Sequence, residues 1–168
     1  MPAKRYEGRL FTALMFMIIL AGFLVMPLDP WSLVQQSDPA IGTELSGVDM
    51  VIFSLGLMMV FGGMAIRTVA IFTLKKNFSG RLRIRGDHTL VKHGIYRWVR
   101  HPAYLGAILL LVGIPVMLLS ALGTAVMLLL VPYLVHRSKL EEGMMIDKFG
   151  KEYEEYMKSS KRLLPFIY

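Results

Sequence analysis

The longest charge-free stretch of the sequence constrains the fold more than any other feature. Residues 102–135 contain no Asp, Glu, Lys or Arg. As a single helix these 34 residues would measure about 51 Å, too long for a hydrocarbon core of about 30 Å. We therefore predict two short membrane-spanning helices that turn near residues 120–123.

Two further apolar stretches have the length of a membrane span. The first is Leu10–Leu28, and the second runs from Met50 to Leu74 with Arg67 as its one charge. Only 18% of the residues are charged, against roughly 25% in soluble domains. The prediction is an all-α polytopic membrane protein with about four transmembrane helices. The Arg67 side chain either reaches the membrane interface or points into a polar gap between helices.

The distribution of charge predicts the orientation. Basic residues are concentrated in the first nine residues, in residues 75–100 and in residues 137–162, whereas the acidic segment 29–49 has no Lys or Arg. By the positive-inside rule, both termini and the 75–100 segment are cytoplasmic. The net charge of +7 is thereby explained by topology and anionic lipid, so we predict no nucleic-acid partner.

The cytoplasmic segments are predicted to form an ordered cap. In Ser138–Lys158, the apolar residues Met145, Phe149, Tyr153 and Tyr156 recur at helical spacing, which predicts a C-terminal amphipathic helix. The chain has no Cys and no H-E-x-x-H pair among its four His, so no metal site is predicted.

Two strings in this cap resemble a known family. They are HTLVKHGIYRWVRHPAYLG at 88–106 and RSKLEEGMMIDKFGKEYEEY at 137–156. Their pattern of G-x-Y-x-x-x-R-H-P-x-Y-x-G, then E-E, F-G-x-x-Y-x-x-Y and R-x-x-P, resembles the isoprenylcysteine carboxyl methyltransferase and phospholipid methyltransferase family. The resemblance divides the chain into an N-terminal transmembrane pair, 1–76, and a methyltransferase-like region, 77–168. It implies an integral membrane enzyme that uses S-adenosylmethionine at a cytoplasmic site.

The resemblance also implies roles for individual residues. Arg137 would point toward the substrate and act in catalysis. The residues implied in cofactor binding are His88, Thr89, Leu90, Val91, Tyr96, His101, Pro102, Ala103, Tyr104, Glu141 and Glu142. Arg81 aligns only loosely with a family position. Arg162 would pair either with the cap or with lipid phosphate.

Several alternatives remain open at the level of sequence. The acceptor is expected to be an amphiphile, with a lipid-like carboxylate favoured over an ethanolamine headgroup, mainly because of Arg137. An amine acceptor would need a base, for which His101 and Glu142 are candidates. The other classes are a nicotinamide-dependent reductase and a non-enzymatic membrane protein that keeps the cap. For individual residues the alternatives are interfacial aromatics for the site tyrosines, a solvated helix start for Glu141 and Glu142, and an ordinary basic flank for Arg137. The oligomeric state is not readable from the sequence.

Overall fold

The computed structural model describes residues 3–29, 46–75 and 89–163, with side chains from residue 12 onward. It contains six α-helices in these ranges. They are α1 (Ala3–Val25), α2 (Gly47–Leu74), α3 (Pro102–Met117), α4 (Ala121–Leu128), α5 (Leu130–Phe149) and α6 (Lys151–Ser159). Short 3₁₀ turns occupy Met26–Leu28 and Gly94–Arg97. The all-helical class predicted from the sequence is confirmed for the described residues.

Two apolar helical stretches are long enough to cross a membrane. One is α2, and the other is the nearly continuous stretch Ala121–Phe149 formed by α4 and α5. Large side chains of α2 are exposed, including Phe61, Met58 and Phe72. Such a surface is unfavourable in water and is suited to lipid.

Helix α2 begins with a capping box. The Ser46 hydroxyl accepts a hydrogen bond from the Asp49 amide at 3.2 Å, and the Asp49 carboxylate accepts one from the Ser46 amide at 3.0 Å. This exchange satisfies two amides that the first helical turn leaves without partners. The α2 cap therefore marks the helix start at Gly47.

Helix α2 packs closely against α3, and glycines allow the two helices to approach each other. A Cβ added at Gly63 would lie 2.5 Å from the Leu110 amide nitrogen, and one at Gly106 would lie 2.7 Å from the Gly63 carbonyl oxygen. Gly56 and Gly113 repeat this contact one heptad along each helix, in antiparallel order. The neighbouring Gly62 lies outside this contact, since a Cβ added there would meet nothing within 4 Å.

The predicted turn after α3 is confirmed near residue 120. Ser120 caps α4 by accepting a hydrogen bond from the Gly123 amide at 3.0 Å. Asp29, buried at the end of the first apolar segment, accepts hydrogen bonds from the Ser120 hydroxyl at 3.0 Å and the Leu122 amide at 2.8 Å. These contacts tie the end of α1 to the start of α4.

The second half of the apolar stretch is helical and extends beyond the predicted short span. Pro132 has no amide to donate to the Leu128 carbonyl, which interrupts the helix at Leu129. The chain then continues as α5 into the charged region. The predicted amphipathic helix Ser138–Lys158 is therefore wrong in its bounds: its first half belongs to α5, and Gly150, at φ 55°, separates it from α6. A positive φ is readily adopted by glycine and ends the helix there.

Candidate functional site

The site begins where the chain enters α3, beside the segment that follows α6. The Lys161 amide donates to the Trp98 carbonyl at 2.9 Å, and the Lys161 carbonyl accepts from the Arg100 amide at 2.8 Å. The His101 amide donates to the Arg162 carbonyl at 3.0 Å. These bonds form an isolated parallel bridge between Val99 and Lys161. They hold residues 151–163, hereafter the C-terminal segment, against the start of α3.

Glu142, on α5, is the centre of the buried charge in this region. Its Oε1 accepts from Arg100 Nε at 2.7 Å. Its Oε2 accepts from Arg162 Nη2 at 2.7 Å and from Nε at 2.9 Å. The Glu142 side chain is only 4% exposed, so two guanidinium groups replace the water that this carboxylate loses on burial. Arg162 thus pairs with the cap, which answers the alternative left open by the sequence.

His101 lies between the two neighbouring carboxylates. Its Nε2 is 3.4 Å from Glu142 Oε1, and its Nδ1 is 3.8 Å from Glu141 Oε2. Among the described residues, Nε2 is the one buried side-chain polar atom that lacks an aligned hydrogen bond. The imidazole also stacks on the Tyr104 ring, with centroids 5.4 Å apart.

Tyr104 joins two side chains of opposite charge on α5. Its hydroxyl donates to Glu141 Oε2 at 2.8 Å and accepts from Arg137 Nε at 3.0 Å. Arg137 also lies 3.5 Å from the hydroxyl of Tyr133, one turn earlier. Because Arg137 and Glu141 are four residues apart, they occupy one face of α5. The Glu141 side chain is 36% exposed, so it is accessible in a way that Glu142 is not.

A small apolar cluster borders these polar groups. Tyr96 and Ala103 are buried against Ala70 of α2, with Val91 packed alongside. The Tyr96 hydroxyl donates to the Ala70 carbonyl at 3.4 Å, and its own carbonyl accepts from the Tyr156 hydroxyl at 2.5 Å. Burial raises the pKa of Tyr96 well above its usual value, and the negative charge of Glu141 adds to this effect. A tyrosine is already neutral at physiological pH, and this shift makes ionisation of Tyr96 still less favourable.

Most of the residues predicted for the site lie in these two groups. The polar group contains His101, Tyr104, Arg137, Glu141 and Glu142. The apolar group contains Val91, Tyr96 and Ala103. Pro102 is buried at the first turn of α3, Leu90 is half-buried, and Thr89 is exposed. The positions predicted for His88 and Arg81 lie outside the described residues.

The structure shows the contacts of three further residues near the site. Arg100 is the arginine of the R-H-P motif, but no role was predicted for it, because it is one of eight basic residues in its segment. Tyr133 was likewise missed, because a tyrosine in an apolar run resembles an interfacial aromatic. Arg67 donates from Nη1 to the Ala103 carbonyl at 3.0 Å, so its side chain turns toward α3.

Comparison with known proteins assigns the family. The model of the isoprenylcysteine carboxyl methyltransferase (ICMT) family matches residues 54–147, which is more than half of the chain. The chain belongs to this family. The match begins inside α2 and ends on α5, so it includes the glycine contact as well as the polar site.

Individual ICMT relatives agree with this assignment. The chain is 40% identical over 116 residues to a probable protein-S-isoprenylcysteine O-methyltransferase of Oryza sativa subsp. indica, covering 67% of this chain and 61% of that protein. It is 38% identical over 115 residues to the protein-S-isoprenylcysteine O-methyltransferase of Homo sapiens, covering 67% of this chain and 40% of that one. The chain thus spans about three fifths of the rice protein and two fifths of the human protein.

A solved structure shares the arrangement of helices. It is the eukaryotic intramembrane Ras methyltransferase ICMT, with a TM-score of 0.63 and 32% identity over 69% of this chain and 43% of that one. That enzyme is an intramembrane protein, and this chain likewise has two apolar helices long enough to cross a membrane. The protein is therefore a helical membrane protein of the ICMT family.

Proposed function

We propose that this chain is an integral membrane methyltransferase that binds S-adenosylmethionine and methylates a carboxylate of an isoprenylcysteine-like amphiphile. The observation that carries the proposal is the hydrogen-bonded series Arg137–Tyr104–Glu141. It places the guanidinium of Arg137, which suits an anionic acceptor, near the carboxylate of Glu141, which suits a cationic cofactor.

The residues present fit the cofactor. An accessible carboxylate can accept hydrogen bonds from ribose hydroxyls or from an ammonium group, and Glu141 is the exposed member of its pair. The stacked rings of His101 and Tyr104 and the apolar cluster around Tyr96 offer walls for a planar base. When bound, S-adenosylmethionine supplies an electrophilic methyl group.

We propose that Arg137 binds the carboxylate of the methyl acceptor. A guanidinium aligns a carboxylate through paired N–H donors, and the burial of Arg137 strengthens that attraction relative to water. A carboxylate acceptor carries no proton that must leave, so the residues need only orient it and exclude water. The ICMT relatives favour this acceptor over an ethanolamine headgroup.

The proposed topology has four spans, with both termini and the site on the cytoplasmic side. It is supported by the basic segments 75–100 and 137–162 and by the acidic segment 29–49. The site residues lie at the start of α3 and on the charged half of α5, next to these basic segments. An amphiphile would enter from the bilayer and present its headgroup to Arg137.

The first test is calorimetric binding of S-adenosylmethionine and S-adenosylhomocysteine to the detergent-purified protein, with NADPH as the control ligand. We expect the adenosyl pair to bind and NADPH not to bind. The Glu141→Ala variant should lose the binding, whereas Arg137→Ala should retain it. NADPH binding alone would support a reductase, and binding of none of the three would overturn the proposal.

The acceptor is tested separately by transfer of a labelled methyl group. We expect transfer to an N-acylated S-prenylcysteine and none to its methyl ester, because the ester lacks the nucleophilic carboxylate. The Arg137→Ala variant should lower turnover at least tenfold. Preferential methylation of phosphatidylethanolamine would instead support the headgroup alternative.

A further inference from the structure

Arg100 contacts three separate parts of the site region. Its Nε donates to Glu142 on α5 at 2.7 Å. Its Nη1 donates to the carbonyls of Met157, at 3.1 Å, and Ser160 at the end of α6. Its backbone amide donates to the Lys161 carbonyl at 2.8 Å. One buried side chain therefore connects the start of α3, the middle of α5 and the C-terminal segment.

The neighbours of these contacts are the residues of the proposed site. Arg100 immediately precedes His101, which stacks on Tyr104. Glu142 immediately follows Glu141, which accepts from Tyr104. The bond between Arg100 and Glu142 thus fixes α5 against the start of α3 one residue away from the bond between Glu141 and Tyr104.

We infer that Arg100 is a positioning residue, which holds α5 and the C-terminal segment against the start of α3 and thereby keeps Glu141 and Tyr104 in register. This inference rests on the proposed function and extends it to a residue that does not touch the ligand. Displacement of a binding group by about 1 Å can reduce a rate about 100-fold. The planar fork of arginine is required, because Nε and Nη1 engage different partners at the same time.

The test compares Arg100→Lys with Arg97→Lys. Both changes retain the positive charge. Arg97 is exposed and stacks over the Trp98 ring, 5.4 Å from its centroid, so it serves as a matched control in the same segment. Glu142 keeps both hydrogen bonds from Arg162 in Arg100→Lys, which limits the loss of folded protein.

Steady-state kinetics separates positioning from stability. We expect Arg100→Lys to raise the KM for S-adenosylmethionine about tenfold and to lower kcat, with the KM for the prenylcysteine acceptor unchanged. A merely structural role would reduce the active fraction and leave both KM values unchanged, and that result would overturn the inference. Equal effects in Arg97→Lys would overturn it as well.

Hydrogen exchange gives a second readout that does not depend on activity. We expect Arg100→Lys, but not Arg97→Lys, to speed exchange of amides in residues 153–163. Unchanged exchange would show that Arg100 does not hold the C-terminal segment. If the wild-type protein bound no adenosyl ligand, the proposed function would fail, while the exchange measurement would still decide the role of Arg100 in holding this segment.

Discussion

Between α2 and α3 the contact is made by backbone against backbone, with Gly63 and Gly106 leaving no space for a side chain. Between α5 and the C-terminal segment it is made by charges, with Glu142 accepting from Arg100 and Arg162. In lipid, helices gain nothing from excluding water, so close fit holds the first contact. In the second, each carboxylate oxygen needs its own donor. The first region is therefore sensitive to added volume, and the second is sensitive to the loss of a charged partner.

The largest expected effect comes from removing the central charge of the second region. Glu142→Gln leaves two buried guanidinium groups without their carboxylate, which costs about 3–5 kcal/mol in comparable buried pairs. We expect a large fall in the unfolding temperature in detergent. Glu141→Gln is the matched control, because the partly exposed Glu141 should affect cofactor binding far more than stability. Equal destabilisation by both variants would contradict the division between them.

The glycine contact should break with the addition of one methyl group. Gly63→Ala places a Cβ 2.5 Å from the Leu110 amide nitrogen, so the helices must separate at a cost of about 1–3 kcal/mol. Gly62→Ala should leave stability unchanged or slightly raised, because its Cβ meets nothing and alanine favours helix. The measurement is thermal unfolding of both variants in the same detergent. Indistinguishable unfolding temperatures would rule out the close approach.

A smaller and more local effect is expected from Tyr104→Phe. The change removes the hydroxyl that joins Arg137 to Glu141 but keeps the ring stacked on His101. We expect kcat/KM to fall about tenfold, which corresponds to roughly 1.4 kcal/mol, with little change in unfolding temperature. Tyr153→Phe, which retains its edge contact with Tyr156, should leave kcat/KM unchanged.

The smallest effect concerns alkaline pH. Burial raises the pKa of Tyr156 to about 12, whereas an unfolded tyrosine ionises near pH 10. Between these values the unfolded chain releases the proton first, so the stability contribution of Tyr156 is lost as the pH rises. We expect the unfolding temperature of Tyr156→Phe to fall less steeply between pH 10 and 11.5 than that of the wild type. Parallel pH profiles would argue against the burial of this hydroxyl.

The sequence predicted the features that depend on local composition. The charge-free run 102–135 predicted the turn near Ser120, because its length exceeds one bilayer crossing. The polar motif around His101 and Glu141 predicted residues that the fold does bring together. The interruption at Leu129 and the break at Gly150 were not anticipated, since the apolar spacing continues through both.

Arg100 shows why the remainder of the site was not predicted. It belongs to the R-H-P motif, but no role was predicted for it, because the positive-inside rule already accounts for a basic residue at this place. Its partners are Glu142 and two carbonyls near residue 160, which become neighbours only after α5 and α6 fold back. Pairings between distant segments leave no periodic signal along the chain.

The uninterrupted course of α5 has a mechanical consequence. Leu130, packed in the apolar core, and Glu141, at the polar site, are on the same rigid helix. Movement of this helix along its axis therefore displaces both residues by the same distance. Bilayers of different thickness shift such helices to match their apolar length. Turnover in reconstituted vesicles should then vary with the acyl-chain length of the lipid. The thickness of the bilayer would set the axial position of α5, and with it the position of Glu141 at the polar site.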